Sequence, residues 1–285
     1  MLSAEQRAVL VRIFFGWTLC AFLWRALDHA LLSQLQAPVL GNAANDLIFW
    51  LAEVLKIPQL LTGNRAIATV FDTILLSSSV LVMARPRGSF FPNVHCIAAL
   101  LYVIVFSTWS NDHYRPILGL LFAGVPFIFG NLQRFNFAFQ GMRYFVLFIY
   151  ASAGLYKVVR GSWCNTEQMT GIIEGTQLEL FLAAPESWHA QFFVWLLQHG
   201  TVSWLLFVLA TVMEVAFIVG FFTRRYDTWL FIAAWTLHLG FWFTMRFFAF
   251  ELIVLDLALL PWEKLLSRWA VPVRTEPHLK RRTTE

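Results

Sequence analysis

Residues 201–222 read TVSWLLFVLATVMEVAFIVGFF, an apolar run interrupted by one charge, Glu214. As a helix it would rise about 33 Å, the depth of a bilayer's hydrocarbon core. A stretch this long and this free of charge reads as a membrane span rather than as the core helix of a soluble domain. Working outward, seven further stretches of the same kind lie near 8–32, 66–84, 94–110, 116–132, 138–157, 228–245 and 247–262, the last of them short. The first carries Arg12, Arg25 and Asp28 and has no small-residue cleavage site, so it reads as a retained helix and not a secretory signal. The expected fold class is therefore all-α, a polytopic bundle of about eight transmembrane helices. Composition agrees: 59% of residues are apolar and 13% charged, with 29 Phe and 13 Trp, against about 45–50% and about 25% in soluble domains. Those values exclude an ordinary soluble protein, a disordered chain, collagen and a disulfide-stapled scaffold.

The net charge of +4 is a topology signal and not a nucleic-acid footprint. Six of the 21 basic residues fall within 263–285, and no basic face interleaved with exposed aromatics is present. With the N-terminus inside, each inner segment holds a pair: Arg7 and Arg12, Arg85 and Arg87, Arg134 and Arg143, Arg224 and Arg225. The tail adds six more, against seven outside. That bias predicts an even number of spans with both termini cytoplasmic. Residues 33–65 and 158–200 then lie outside. The second segment, with Glu167, Glu174, Glu179 and Glu186 and with Trp163, Trp188 and Trp195, is expected to form a helical cap. Residues 1–271 make one membrane domain and 272–285 a disordered basic tail. Cys20, Cys96 and Cys164 show neither a CxxC spacing nor a Cys/His pattern, so unpaired thiols and no metal site are expected.

Ionisable residues within spans are costly, about 3 kcal/mol each at mid-helix, and each asks for a reason. They are Asp72, Glu214, His238, Glu251 and Asp256, with Lys157 closing the fifth span and His113 in the turn between the third and fourth. In the expected topology His113 and Lys157 lie at the outer rim, and Glu214 lies deeper, towards the cytoplasm. Two readings of Lys157 stand side by side. It is a snorkelling lysine with its stem on apolar surface, or the small residues Ala151, Ser152, Ala153 and Gly154 admit a second helix that buries it. A buried lysine is suited to serve as a general base. Glu214 and His238 read as buried polar groups joining helices, Asp72, Glu251 and Asp256 as paired with arginines or hydroxyls (Ser77, Ser78 and Ser79 are near Asp72), and His113 as a loop histidine.

The stretch Tyr150-Ala151-Ser152-Ala153-Gly154-Leu155-Tyr156-Lys157, followed by Gly161-Ser162-Trp163, resembles the signature of the HTTM superfamily, which includes the vitamin K-dependent gamma-carboxylases. Ala153, Gly154, Lys157 and Trp163 match an Ala-Gly-x-x-Lys pattern with its following Trp. Trp109, Asn111 and His113 resemble a Trp-x-Asn-His element, here with Asp112 inserted, and His238 and the run from Phe247 to Pro261 resemble later helices of the family. The resemblance spans most of residues 8–265. It implies a membrane enzyme with Lys157 as base and His113 as its catalytic partner, and with Trp109, Asn111 and His238 contacting the cofactor. That cofactor is a reduced vitamin K or menaquinone-type quinol, with no metal, driving proton abstraction and carboxylation. The implied partners are the bilayer, the quinol and a secreted peptide or protein, with no nucleic acid. The implied location is a bacterial inner membrane, with the site on the periplasmic side. The carboxylases' large lumenal peptide-binding region has no counterpart in these 285 residues. Two other functions stay open: a non-catalytic membrane factor for maturation or export of a secreted peptide, and a quinone-linked oxidoreductase component like the DoxX-type bundles.

Overall fold

The chain enters helix α1 (Ala4–Leu27) through a capping box, in which Ser3 Oγ accepts the Gln6 N–H and the Gln6 side chain accepts the Ser3 N–H. Asn64 and Asn131 likewise start α4 (Arg65–Ala84) and α7 (Leu132–Val159), accepting N–H groups that the first helical turn leaves unpaired. The structure is a computed structural model that describes residues 1–35, 47–109, 118–245 and 250–267, and its regular elements there are all helical. The others, in order, are α2 (Leu47–Val54), α3 (Ile57–Thr62), α5 (Phe90–Trp109), α6 (Leu118–Gly124), α8 (Gln168–Ala183), α9 (Trp188–Gln198), α10 (Gly200–Ala216), α11 (Ile218–Phe222), α12 (Asp227–Met245), α13 (Phe250–Asp256) and α14 (Trp262–Ser267).

Five helical stretches are long and apolar enough to cross a membrane: α1, α4, residues Phe90–Ser107 of α5, α7, and α10 continued by α11. Their outward faces carry large apolar side chains. Val70, Ile74, Phe148, Leu155, Leu205, Leu209 and Val212 are 43–59% exposed, a surface better suited to hydrocarbon than to water. The three other expected spans are present as helices that are shorter or less apolar. Pro126 turns the end of α6 into a 3₁₀ segment, Val125–Ile128, and α13 passes through the 3₁₀ turn Leu257–Leu259 to Pro261. Proline lacks the N–H that would continue a helix. α12 is 19 residues long but carries Asp227 and His238.

The two short helices lie inside. α6 packs beside α13 so closely that a Cβ on Gly119 would strike the Glu251 carbonyl. Their irregular ends are thus enclosed by protein, where backbone groups at membrane depth can be tolerated. One core joins α1, α7, α12 and α13 around Phe14, Phe127, Leu147 and Val254. A second joins α1, α4, α5 and α6 around Phe22, Leu75 and Tyr102. Helices α8 and α9 share a third with α10, through Ile173, Phe193, Leu196 and Phe207. Cys20, Cys96 and Cys164 are unpaired.

Candidate functional site

The inward stripe of α7 reads Arg143, Leu147, Tyr150, Gly154, Lys157, in steps of four and three. Such a stepping keeps side chains on one helical face. Arg143, Tyr150 and Lys157 are then two turns apart, about 10.5 Å along the axis each time, and each meets a polar partner from another helix.

At Lys157, Nζ lies 2.6 and 2.7 Å from Oε1 and Oε2 of Glu214. The lysine side chain is 23% exposed and the glutamate 4%, so the couple opens on the lysine side. Nζ also lies 5.5 Å from the Phe207 ring centre and 5.9 Å from that of Phe241. Helix α10 runs antiparallel to α7: Gly154 faces Val215, Leu147 faces Gly220, and Arg143 reaches the Gly220 carbonyl. A Cβ at Gly154 would sit 2.7 Å from the Val215 nitrogen and 2.9 Å from the Glu214 Cβ. The glycine therefore sets the approach that lets Glu214 reach Lys157. After α7, Gly161 takes φ +69°, a left-handed turn that costs glycine little, and the next residues include Trp163, whose carbonyl accepts the Trp204 indole N–H at 2.8 Å.

Mid-stripe, three buried side chains close a triangle. The Tyr150 hydroxyl lies 2.7 Å from His238 Nε2 and donates to both Asp256 oxygens at 3.1 Å, and Nε2 lies 3.0 Å from Asp256 Oδ2. The other ring nitrogen of His238, Nδ1, is buried with no hydrogen-bond partner among the described residues. The Tyr150 ring stacks on Phe217 at 4.3 Å. At the far end Arg143 grips Asp227 with two hydrogen bonds of 2.6 and 2.7 Å and donates to the Gly220 carbonyl at 2.7 Å. The stripe thus fastens α7 to α10, α11, α12 and α13.

Each residue singled out by sequence has a stated place. Lys157 and Glu214, expected at different depths, are brought together. The reason is that α8 and α9 fold beside α10, so α10 starts well beyond the end of α7 and passes it at Glu214. His238 joins Tyr150 and Asp256 and leaves Lys157 to Glu214. Asp72 accepts the Leu32 and Ser33 N–H groups at 3.2 and 2.8 Å, while Ser78 and Ser79 turn to His95 Nδ1 at 3.1 Å. Glu251 pairs with Arg25, whose guanidinium lies 4.7 Å from the Phe106 ring centre. Asn111 and His113 lie outside the described residues, and so does the side chain of Trp109 at the end of α5. Tyr150 and Arg143 were not expected at the site. Their seven-residue spacing from Lys157 is the signal that points to them. Among the described residues no three His, Cys, Asp or Glu side chains are grouped to hold a metal ion. No protein family, curated protein or solved structure matches the chain.

Proposed function

We propose that the chain is an integral membrane enzyme of the HTTM type, with eight spans, both termini cytoplasmic and helices α8 and α9 capping the outer end. Its acid–base couple is Lys157–Glu214, acting on a lipophilic quinol. The observation that carries this reading is that couple: a lysine held bidentately by a buried carboxylate, open on one side and flanked by Phe207 and Phe241. A flat aromatic ring is suited to contact with phenyl groups such as these.

The proton chemistry follows from the geometry. A lysine ammonium has three N–H donors, and two point to Glu214, which leaves the third for the oxygen of a bound hydroxyl. Nζ first passes one proton to Glu214 across 2.6–2.7 Å, and the amine so formed turns its lone pair to the hydroxyl and takes its proton, so the carboxylate keeps a proton and an ammonium stands beside the new anion. The surrounding apolar helices exclude water and strengthen that interaction. A reduced vitamin K or menaquinone would supply, with oxygen, the driving force for carboxylation of a peptide glutamate. His113 would assist Lys157, and Trp109, Asn111 and His238 would border the quinol.

The test uses purified protein in nanodiscs, given vitamin K and menaquinone hydroquinones with oxygen, and follows quinone epoxide by mass spectrometry. Wild type should form epoxide, and Lys157→Ala and Glu214→Gln should each lose at least 100-fold in rate, the size expected for a positioned acid–base group. Folded wild type that forms no epoxide from either quinol would overturn the enzyme reading. The couple would then be a clip between α7 and α10 in a protein that handles a secreted peptide.

A further inference from the structure

At the end of the molecule that carries the N-terminus, a cavity of about 900 Å³ opens between the start of α7, the start of α12 and the segment 258–264. Its charges fall into two classes. Arg143 and Asp227 neutralise each other, and the Met1 ammonium lies 2.6 Å from Glu263. Arg134, Arg224 and Lys264 also line the cavity, and none has a carboxylate partner among the described residues. Among the described residues the cavity therefore carries three cations without a carboxylate partner. The lining beneath them is mixed: Phe139 and Trp262 are buried beside the Arg143–Asp227 pair, and Phe137 is 82% exposed at the mouth.

The depth of this cavity is marked by its neighbours. Phe222, Tyr226 and Trp229, on either side of Arg224, are 85, 43 and 69% exposed. Large aromatic rings left open beside arginines mark the boundary between hydrocarbon and water, where Trp and Tyr are favoured. A cavity at that level with a cationic rim and aromatic rings in its lining complements a phosphate with hydrocarbon attached.

We propose that this cavity binds the headgroup and upper acyl chain of an anionic phospholipid from the leaflet on the N-terminal side. Arg134, Arg224 and Lys264 hold the phosphate, and Phe137, Phe139 and Trp262 receive the chain. The inference rests on the membrane reading above and is independent of the chemistry at Lys157. Basic pockets between helices at the cytoplasmic boundary suit such headgroups, because the anionic leaflet concentrates them there.

The experiment is native mass spectrometry of the full chain released from nanodiscs that hold equal parts phosphatidylglycerol and phosphatidylcholine. One bound phosphatidylglycerol should be retained in preference to phosphatidylcholine. Each of Arg134→Gln, Arg224→Gln and Lys264→Gln should weaken that preference about fivefold, as expected for one basic side chain near the surface. Arg12→Gln/Arg85→Gln, in a separate basic hollow beside α1, should leave it unchanged. Equal retention of the two lipids by wild type overturns the proposal. So does displacement of the lipid by equimolar glycerol phosphate, which would make this a free-phosphate site. Should a variant fail to fold, wild type decides alone, because the preference must fall in high salt if these cations hold the phosphate. Epoxide formation is read separately in the same nanodiscs, so failure of the lipid site and failure of the enzyme reading are told apart.

Discussion

At the scale of single residues, the Lys157–Glu214 couple is asymmetric, and the asymmetry gives a prediction. Glu214 is almost wholly enclosed while Lys157 retains an opening. Removing the lysine strands a buried carboxylate, whereas removing the glutamate leaves an ammonium that can swing outward. Lys157→Ala should therefore destabilise the protein by about 3 kcal/mol and Glu214→Gln by about 1–2 kcal/mol. The double substitution Lys157→Met/Glu214→Leu should recover most of the loss, because no charge is then left alone. Thermal unfolding in one detergent orders the three variants, and equal midpoints for the two single substitutions would contradict the asymmetry. Each member of the couple is legible in sequence as an ionisable group in an apolar stretch. Their meeting is not, since it joins residues 57 positions apart in a register set by how α8 and α9 fold. The same holds for Asp72, since Ser78 and Ser79, on its own helix, serve His95 instead.

At the scale of elements, α7 and α10 touch through backbone at Gly154. An alanine there would bring its Cβ to 2.7 Å from the Val215 nitrogen, and a backbone neighbour cannot rotate aside. Gly154→Ala should force the helices apart, cost about 1–3 kcal/mol as overpacking does, and lengthen the Lys157–Glu214 contact. In the epoxide assay it should behave like Glu214→Gln, while Gly171→Ala on α8, where an added Cβ meets nothing within 4 Å, should be silent. A Gly154→Ala protein with full stability and rate would show that the close approach is dispensable. The five long helices were readable from apolar length alone, and the breaks at Pro126 and Pro261 could be read from proline chemistry. The stripe on α7 was written in the sequence as a four–three spacing. What it fastens to depended on α12 and α13, which the spacing does not name.

At the scale of the whole molecule, composition identified an all-helical chain with several helices suited to a bilayer, because apolar side chains cover its outside as well as its core. The number of crossings was harder to read, since hydropathy cannot separate a full span from a short helix buried among others. Cysteine labelling tests the proposed topology. A membrane-impermeant maleimide added to intact cells should react with Cys164, which is exposed just beyond α7. It should not react with Cys20, exposed midway along α1 where lipid would cover it, nor with a cysteine introduced by Arg87→Cys in the α4–α5 connection. Reaction at Arg87→Cys together with silence at Cys164 would invert the proposed orientation.

The pairing of α6 with α13 bears on how the protein is made. Among the described residues each of the two spans seven residues, too few to cross a bilayer alone, and α13 is made long after α6. The Gly119 face therefore stays open until residues 250–262 have been made, after all the helices that precede them. That one late event also supplies the carbonyl for Trp17, the carboxylate for Arg25 and the Asp256 that holds Tyr150 and His238. A nascent chain halted at residue 245 would own all five long apolar helices of the described residues and still lack the segment that closes its polar interior.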